Sequence, residues 1–418
     1  MKPVRFVCVL GALLLFASAA EAAGSAWSRS WGAAPLPPSA AMGHLPGSPS
    51  FEDQTIRQIV RLSSGGGVLR VRLTNEYGSA PLAVGDAHIA LADSNGAIVP
   101  GSDRVLSFGG RPDAVIPAGA PLVSDPVVMP VRPLVSLAIT VYLPKATGPC
   151  TCHATAMQTA YVAVGDHAAD LVLPSSSKLQ MRAFLSAVEV SGPRPARTIV
   201  VLGDSISDGI GSTVDANHRW PDLLADRLVR RAGRAGVALG VSNEGISGNR
   251  VLNDGAGVSA LARFDRDVLA TPGAAYVIVF EGVNDLGISY MPALPEGPMS
   301  AYFKRLAGPP VSADDIIAGY KQLIARAHQH GLKIYGATIT PYGGATYYSP
   351  AGEAQREKIN DWIRTGGGFD GVLDFDKVVR DPQQPTQIRT GFHAGDHLHG
   401  SDAGYHAIAD SIDLSLFR

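Results

Sequence analysis

The spacing of apolar residues changes once along this chain, at the Gly192-Pro193-Arg194-Pro195 segment, and no other feature constrains the fold as strongly. Before this segment, short runs alternate apolar and polar residues and are separated by turn residues. After it, uninterrupted apolar runs alternate with amphipathic stretches. A period of two is typical of half-buried strands, whereas the second pattern is typical of a parallel sheet covered by helices. The chain therefore predicts two domains of different fold class.

The front domain, residues 24–192, is predicted to be all-β and to form a sandwich or jelly roll. Alternating runs at 56–62 and 69–73 flank a Ser-Ser-Gly-Gly-Gly stretch, which is the pattern of a β-hairpin. Further strands are predicted at 87–91, 127–131 and 134–143. This domain carries few obvious catalytic side chains, so we do not expect it to supply the chemistry, although it could line one side of the cleft.

The second domain, residues 196–418, is predicted to contain a parallel α/β sheet. Apolar runs at 199–202, 276–280 and 334–339 have the character of buried strands. A helix is predicted from Ser312 to Gly331, with aspartates in its first turn that complement the helix dipole. Residues 286–311, rich in Pro, Gly, Met and Tyr, are predicted to be a long loop of the kind that is usually functional or disordered.

Charge and composition exclude two classes of partner. The chain has 35 Lys and Arg against 37 Asp and Glu, a formal net charge of -2, and no polybasic run. Such a chain lacks the electrostatic footprint for nucleic acid or for an anionic membrane surface. Because 46% of the residues are apolar and only 17% are charged, a sizeable folded core is predicted instead.

The N-terminus has the pattern of a secretory signal peptide, residues 1–22. Lys2 and Arg5 precede an apolar run at 6–16, and Ala20-Glu21-Ala22 supplies small residues at the two positions that a signal peptidase recognises. The apolar run is shorter than the roughly 20 residues that span a bilayer, so no stable membrane insertion is expected. The protein is therefore predicted to be secreted or periplasmic.

Removal of this signal leaves Cys150 and Cys152 in an oxidising compartment. Their spacing allows a strained disulfide, and two free thiols are the alternative. His153 follows directly, but a metal site built from these three residues would need ligands from elsewhere.

The first candidate site is the segment Gly203-Asp204-Ser205-Ile206-Ser207-Asp208-Gly209, which follows the first apolar run of the second domain. Ser205 is thus placed at the carboxyl end of a parallel strand, where open α/β sheets bind ligands. The helix that follows offers N–H groups that can stabilise an oxyanion, although such loops also bind phosphate without catalysis. The Gly-x-Ser-x-Gly elbow of α/β-hydrolases does not fit, because Ser207 stands where Gly is needed.

Three further segments complete a set of groups for acyl transfer. Residues 243–249 are Asn-Glu-Gly-Ile-Ser-Gly-Asn, residues 282–285 are Gly-Val-Asn-Asp, and residues 396–399 are Asp-His-Leu-His. Together with Ser205 they supply a nucleophile, a base with a nearby carboxylate, and two further hydrogen-bond donors on loops at strand ends.

These four segments, in this order, resemble the sequence blocks of the SGNH, or GDSL-type, hydrolase superfamily, from about residue 198 to the end of the chain. The resemblance implies a flavodoxin-like three-layer domain and a catalytic triad of Ser205, His399 and Asp396. It also implies an oxyanion hole formed by Ser205, Gly248 and Asn284.

Two positions depart from the family pattern. Ile206 stands where Leu is usual, and Gly400 stands where Pro is frequent, but neither change removes a reacting group. The front domain resembles the accessory domain of some secreted two-domain members of the superfamily.

The chemistry implied for each residue follows from its side chain. His399 would accept the Ser205 proton during attack on a carbonyl carbon and then donate it to the leaving alcohol, while Asp396 would orient the ring. Three other aspartates are predicted to order loops by accepting backbone N–H groups, namely Asp204, Asp208 and Asp285.

The histidine cluster near the C-terminus has an alternative interpretation. His393, Asp396, His397 and His399 lie close in sequence, and this cluster alone could equally bind a divalent metal. The serine and Asn284 segments have no role in a metal mechanism, so no metal and no cofactor are expected. His397 is predicted to point away from the triad.

The sequence therefore predicts an exported serine esterase that hydrolyses carboxylic esters, small-molecule or glycan-linked, with short acyl or acetyl groups preferred. A lipase or lysophospholipase-type lipid esterase is one alternative, and an O-acyltransferase that uses the same acyl-enzyme is another. A carbohydrate-binding protein with a degenerate site is the alternative from a different class, and the intact set of catalytic residue types disfavours it.

Overall fold

The computed structural model describes residues 27–40, 47–93, 95–192, 197–233 and 239–418, so the predicted signal peptide lies outside the described residues. The part before residue 192 is built from short strands. They are β1 (Ser28–Gly32), β2 (Gln54–Arg61), β3 (Gly66–Thr74), β4 (Leu82–Val84), β5 (Asp86–Leu91), β6 (Arg104–Val105), β7 (Ala114–Ile116), β8 (Pro121–Val123), β9 (Val127–Val131), β10 (Ser136–Leu143), β11 (Cys152–His153), β12 (Ala160–Val164), β13 (Ser177–Leu179), β14 (Arg182–Ala183) and β15 (Leu185–Ser191).

Two antiparallel sheets pack face to face in this front part. One has the strand order β1-β15-β3-β8, with β9 also paired to β3, and the other has the order β13-β12-β2-β10-β5-β6. Residues from both sheets meet in one apolar core, where Val71 and Val188 of the first sheet join Val60 and Ile139 of the second. The front part is therefore an antiparallel β-sandwich, as predicted.

The predicted hairpin between 56–62 and 69–73 is wrong, although both segments are strands. β2 pairs with β10 and β12, whereas β3 pairs with β8, β9 and β15 in the opposite sheet. Between β2 and β3 the chain crosses from one sheet to the other. Leu62 is buried in the core at this crossing, and the Ser63 hydroxyl donates a hydrogen bond to the Ser30 carbonyl on β1 (2.5 Å). Alternation predicts which face of a strand is buried, but it does not predict the partner strand.

From residue 197 onward, parallel strands alternate with helices. The strands are β16 (Arg197–Gly203), β17 (Leu239–Gly245), β18 (Ala274–Phe280), β19 (Lys333–Ala337) and β20 (Gly371–Leu373). The helices are α1 (Ser205–Asp208), α2 (Trp220–Ala232), α3 (Ala260–Phe264), α4 (Val283–Tyr290), α5 (Pro298–Leu306), α6 (Ala313–Gln329), α7 (Pro350–Thr365), α8 (Phe375–Val379) and α9 (Asp402–Ser411). A π-helical turn at Asp265–Leu269 extends α3, and a 3₁₀ turn at Leu414–Leu416 follows α9.

The order of the parallel strands, β17-β16-β18-β19-β20, is that of a flavodoxin-like sheet. The helices pack as two groups, one made of α2, α8 and α9 and the other of α3, α4, α6 and α7. The domain is therefore three-layered, as the resemblance implied. All five strands run in the same direction, so their carboxyl ends, and the loops that follow them, share one edge of the sheet.

The predicted helix at 312–331 is confirmed as α6, and the structure shows why it begins and ends where it does. The Ser312 hydroxyl accepts the Asp315 N–H while the Asp315 carboxylate accepts the Ser312 N–H, which is a capping box. Gly331, with φ of +70°, follows the last turn.

The predicted long loop at 286–311 is wrong, because most of it is helical. It contains the end of α4 and all of α5. Pro298 lies in the first turn of α5, where proline starts a helix because its missing N–H would be unpaired in any case. The high Pro and Gly content of this segment therefore marks helix ends and not an absence of helix.

The front part and the parallel-sheet domain share a buried polar interface. The Arg29 backbone N–H donates to the Thr198 hydroxyl (3.0 Å), and the Arg29 guanidinium lies 3.3 Å from the Glu244 carboxylate. Arg61 pairs with Asp226 at 2.7 Å. Buried charges that are paired across an interface hold its two sides in one relative position, because separating them leaves each charge uncompensated.

The sulfur atoms of Cys150 and Cys152 are bonded to each other, and both residues are buried. The structure therefore contains the disulfide and not two free thiols. Among the described residues, no helix combines the length and the apolar character needed to cross a membrane.

Candidate active site

The loop after β16 holds Ser205 at the carboxyl edge of the sheet. Ser205 is the first residue of α1, and the Asp204 carboxylate caps that helix by accepting the Ile206 N–H (2.9 Å). Burial raises the pKa of Asp204 to about 7. Gly209, with φ of +100°, ends the helix after a single turn. The segment therefore presents Ser205 on a tight strand-to-helix turn.

The side chains of Ser205, His399 and Asp396 form one hydrogen-bonded chain. His399 Nε2 lies 2.8 Å from Ser205 Oγ, and His399 Nδ1 lies 2.5 Å from Asp396 Oδ2. The other Asp396 oxygen accepts the N–H groups of Leu398 and His399, each at 3.0 Å. Burial opposes ionisation, but the His399 ring and these N–H groups hold the pKa of Asp396 well below its usual range. The carboxylate therefore stays charged and fixes the orientation of the ring.

Gly248 and Asn284, the two other residues of the implied oxyanion hole, line the same cleft as Ser205 and His399. Gly248 has φ of +80°, and a Cβ at this position would come within 2.7 Å of the Ala256 side chain. Glycine is thus required both by the backbone conformation and by the available space.

Two hydrogen bonds fix the orientation of the Asn284 amide. Its Nδ2 donates to the Asn249 carbonyl (3.0 Å), and its Oδ1 accepts from the Tyr347 hydroxyl (3.3 Å). Because an amide nitrogen carries two hydrogens, one N–H of Asn284 remains for a ligand in the cleft.

The three aspartates predicted to order loops do so. In addition to Asp204, Asp208 Oδ2 accepts the Ser247 N–H (3.0 Å), and Asp285 Oδ2 accepts the Val251 N–H (2.7 Å). Burial raises the pKa of Asp285 to about 6. The turns that carry the candidate oxyanion donors are therefore tied to the nucleophile loop and to α4.

Sequence reasoning missed Tyr347 and Arg263. Tyr347 is buried in the loop between β19 and α7, outside every recognised segment. Arg263 is completely buried, and its guanidinium donates to the carbonyls of Gly203 (3.1 Å) and Glu244 (2.6 Å). An arginine four residues before Asp267 has the pattern of an exposed helix pair, so nothing in the sequence marked it as a link between two site loops.

The remaining histidines do not join the triad. The His397 ring stacks on His393, with ring centroids 4.4 Å apart, whereas the His399 ring contacts Ser205. His397 therefore points away from the triad, as predicted. In the part of the chain that the structure describes, no group of three or more His, Cys, Asp or Glu side chains is arranged to hold a metal ion.

The candidate site opens into a cleft of about 720 Å³ between the two parts of the chain. The parallel-sheet domain contributes helix residues from α4 and α5, including Ile288, Tyr302 and Phe303. The front part contributes a second wall, formed by Leu36, Pro37, Pro38, Cys152, Ala154, Thr155 and Met181. The front part therefore lines one side of the cleft.

A flavodoxin-like sheet with a Ser-His-Asp chain at the carboxyl ends of its strands defines a class of three-layer ester hydrolases. The model of the GDSL-like lipase/acylhydrolase family matches residues 199–412, just over half of the chain, and the chain belongs to this family. The protein is accordingly an ester hydrolase. Among curated proteins, none matches the chain.

Solved structures of similar fold include esterases and lipases. An acetyl xylan esterase is 19% identical, with 51% of this chain and 96% of that chain covered and a TM-score of 0.38. An acetylxylan esterase from Geobacillus stearothermophilus is 20% identical, with 51% and 91% covered and a TM-score of 0.37. A GDSL-like lipase from Bacteroides thetaiotaomicron is 15% identical, with 53% and 87% covered and a TM-score of 0.36. Family membership rests on the matched residues and not on these scores.

Proposed function

We propose that this protein is a serine esterase that cleaves carboxylic esters through an acyl-enzyme on Ser205. One observation carries the proposal, namely the continuous chain from Ser205 Oγ through both nitrogens of His399 to Asp396, with contacts of 2.8 and 2.5 Å. The geometry is that of an activated serine nucleophile, in which a base contacts the hydroxyl and a third group orients the base.

The reaction has two displacement steps. Ser205 Oγ bonds to the ester carbonyl carbon while its proton moves to His399 Nε2, and this proton then passes to the alcohol oxygen as the carbon–oxygen bond breaks. In the second step His399 takes a proton from water, whose oxygen attacks the acyl-enzyme, and returns that proton to Ser205 as the acid leaves. The charged Asp396 stabilises the imidazolium that forms in each step.

The developing oxyanion needs donors that are already in place. In this proposal the backbone N–H groups of Ser205 and Gly248 and the remaining side-chain N–H of Asn284 supply them. All three residues line the cleft, and the two bonds on the Asn284 amide keep its nitrogen directed correctly before substrate binds.

Two classes of ester are candidate substrates, and the second is proposed from the size and lining of the cleft. Short acyl or acetyl esters, small-molecule or glycan-linked, remain the expectation from the sequence. A second candidate is an ester with a larger apolar group, including lipid esters, and the specific observation in its favour is a 720 Å³ cleft with Leu, Ile, Met, Phe and Pro side chains in its walls. A cleft of this size can bury many more carbon atoms than an acetyl group contains.

Export is also proposed. What supports it is the signal-peptide pattern of the N-terminus and the Cys150–Cys152 bridge, since disulfides persist in oxidising compartments. Mass spectrometry of protein recovered from the culture medium or periplasm would show a new N-terminus near residue 23, and an intact Met1 there would contradict the proposal.

The catalytic proposal is tested by labelling with a fluorophosphonate, which bonds to an activated serine oxygen with loss of fluoride. The label should map to Ser205, and both labelling and ester hydrolysis should be lost in Ser205→Ala. Ser212→Ala is the matched control, because the Ser212 hydroxyl is nearby but donates to the Gly209 carbonyl (2.7 Å). Label on another residue, or full activity in Ser205→Ala, would contradict the proposal. Release of free acid without an added acceptor separates hydrolysis from acyl transfer.

A further inference from the structure

His153 belongs to the front part of the chain, but its ring reaches the catalytic domain. It lies in β11, directly after the bridged Cys152, and it is only 5% exposed. Nε2 of the ring lies 2.8 Å from Asp208 Oδ1, at the end of α1. His153 therefore contacts the segment that carries the nucleophile.

Both ring nitrogens of His153 face oxygen atoms. Nδ1 lies 2.9 Å from the Ala34 carbonyl, and Nε2 lies 3.1 Å from the Thr155 carbonyl in addition to its contact with Asp208. A carbonyl oxygen can only accept, so each nitrogen carries a hydrogen and the ring is an imidazolium. Burial and the Arg182 guanidinium oppose this charge, but the Asp208 carboxylate and the Ala34 carbonyl raise the pKa of His153 overall.

The other oxygen of Asp208 holds the turn of the candidate oxyanion hole. Asp208 Oδ2 accepts from both the N–H (3.0 Å) and the hydroxyl (2.6 Å) of Ser247. Ser247 directly precedes Gly248, whose φ of +80° places it at a sharp bend in the chain. A continuous set of hydrogen-bonded contacts thus runs from Ala34 through His153 and Asp208 to the bend at Gly248.

We propose that His153 is a positioning residue that the front domain contributes to the oxyanion hole. By holding one oxygen of Asp208, it sets the direction of the other oxygen, which in turn sets the Ser247–Gly248 bend. This inference rests on the proposed serine esterase function. It also means that the front domain takes part in catalysis indirectly, although its side chains do not touch the reacting atoms.

Loss of the ring should affect the transition state more than substrate binding. Without His153, Oδ1 of Asp208 loses this hydrogen bond, and the buried carboxylate can rotate even though its electrostatic interaction with the Arg219 guanidinium remains. The Gly248 N–H then loses its fixed direction, and that direction matters most when charge develops on the carbonyl oxygen. We expect His153→Ala to lower kcat by about 10- to 100-fold while KM changes less than threefold. His153→Gln, whose amide can still donate to Asp208, should recover most of this loss.

His88→Ala is the matched control. His88 is also a buried histidine of the front part and lies between two carboxylates, with Nδ1 2.7 Å from Asp103 and Nε2 3.2 Å from Asp86. Both partners belong to the front sandwich, so this variant removes similar buried contacts between a histidine and carboxylates without touching the site. It should lower the melting temperature as His153→Ala does but leave kcat unchanged.

A double-mutant cycle decides between positioning and mere attachment of the domains. If His153 acts through Asp208 and Ser247, the effects of His153→Ala and Ser247→Ala on kcat should not add, because both loosen the same bend. Additive effects, or a kcat in His153→Ala equal to that of the wild type, would overturn the inference. If His153→Ala does not fold, His153→Phe, which keeps a ring and loses both nitrogens, takes its place in the cycle. Fluorophosphonate labelling of the wild type at Ser205 is checked first, and its absence would overturn the proposed function itself.

Discussion

The Tyr347 hydroxyl donates a hydrogen bond to Oδ1 of Asn284 across 3.3 Å, from a loop more than sixty residues further along the chain. This contact requires a glycine on α4, because a Cβ at Gly287 would come within 2.5 Å of the Tyr347 ring. The bond occupies the amide oxygen, so the amide nitrogen must face the Asn249 carbonyl and the cleft. An aromatic side chain outside the recognised segments thereby determines which end of Asn284 is presented to a substrate.

Tyr347→Phe should lower kcat by about tenfold with little change in KM, because it frees the amide and keeps the ring. Tyr342→Phe is the control. The two rings pack edge to face at 5.8 Å, and within the described ranges the Tyr342 hydroxyl is buried without a hydrogen-bond partner. Steady-state kinetics on a soluble ester measure both variants, and equal effects on kcat would show that the Tyr347 hydroxyl does not act on Asn284.

Asn284→Ala should lower kcat by roughly 10² to 10³, since its side-chain N–H is needed mainly when charge develops on the carbonyl oxygen. The measurement is kcat and KM on the same ester. Asn249→Ala would not serve as a control, because the Asn249 side chain accepts from Arg263 (2.9 Å) within the same network. An increase in KM with an unchanged kcat would mean that Asn284 only binds substrate.

The site segments could be predicted from the sequence because each lies at a position that the topology brings to one edge. Ser205 follows β16 and Asn284 follows β18, and in a parallel sheet both strand ends meet there. Tyr347 and Arg263 could not be predicted, because their roles arise from contacts between segments that are distant in sequence. The coupling of His153 to Asp208 has the same origin, since it joins two domains.

The errors in the fold prediction have a similar cause. The apolar alternation in β2 and β3 is real, but strand pairing is decided by how Leu62, Ser63 and the two sheets pack together. In α5, the aromatic residues Tyr302 and Phe303 line the cleft, and Phe303 packs on Tyr347. Because these tertiary contacts stabilise the helix, the local composition did not predict it.

The two histidines nearest the C-terminus should differ sharply in their effect on hydrolysis. His399→Ala should be inactive, because no other base contacts Ser205 in the described structure. His397→Asn should keep most activity, since His397 stacks on His393 and has φ of +61°, a conformation that asparagine tolerates. Chelators should leave the wild-type rate unchanged. An inhibition by chelators that zinc reverses would restore the metal interpretation.

The stability of Asp204→Asn should depend on pH differently from that of the wild type. Burial raises the pKa of Asp204 to about 7 from an ordinary 3.8, so the folded protein keeps a proton that the unfolded chain releases between these values. This group therefore lowers the free energy of unfolding as pH rises through that window. Asparagine retains the oxygen that caps α1 but cannot ionise, so the stability of the variant relative to the wild type should increase from pH 4 to pH 8.

Urea unfolding of both proteins at several pH values measures this difference. Asp361→Asn, an exposed position on α7, is the control and should give a nearly constant difference. A difference that stays constant over this pH range, as in the control, would mean that Asp204 is ionised in the folded protein as well.

The last prediction concerns which ester the cleft accepts. If the 720 Å³ cleft holds an apolar group, kcat/KM should rise from p-nitrophenyl acetate to the octanoate by roughly tenfold or more, because each methylene removed from water contributes up to about 0.8 kcal/mol. Ile288→Trp places a larger ring in the cleft wall formed by α4 and should lower the rate for the octanoate selectively. Val164→Trp, on an exposed part of the front sandwich, is the control and should not change the ratio of the two rates. If the wild type prefers the acetate and Ile288→Trp does not change this preference, acetyl esters are favoured as substrates. The apolar wall of the cleft would then not hold the acyl group.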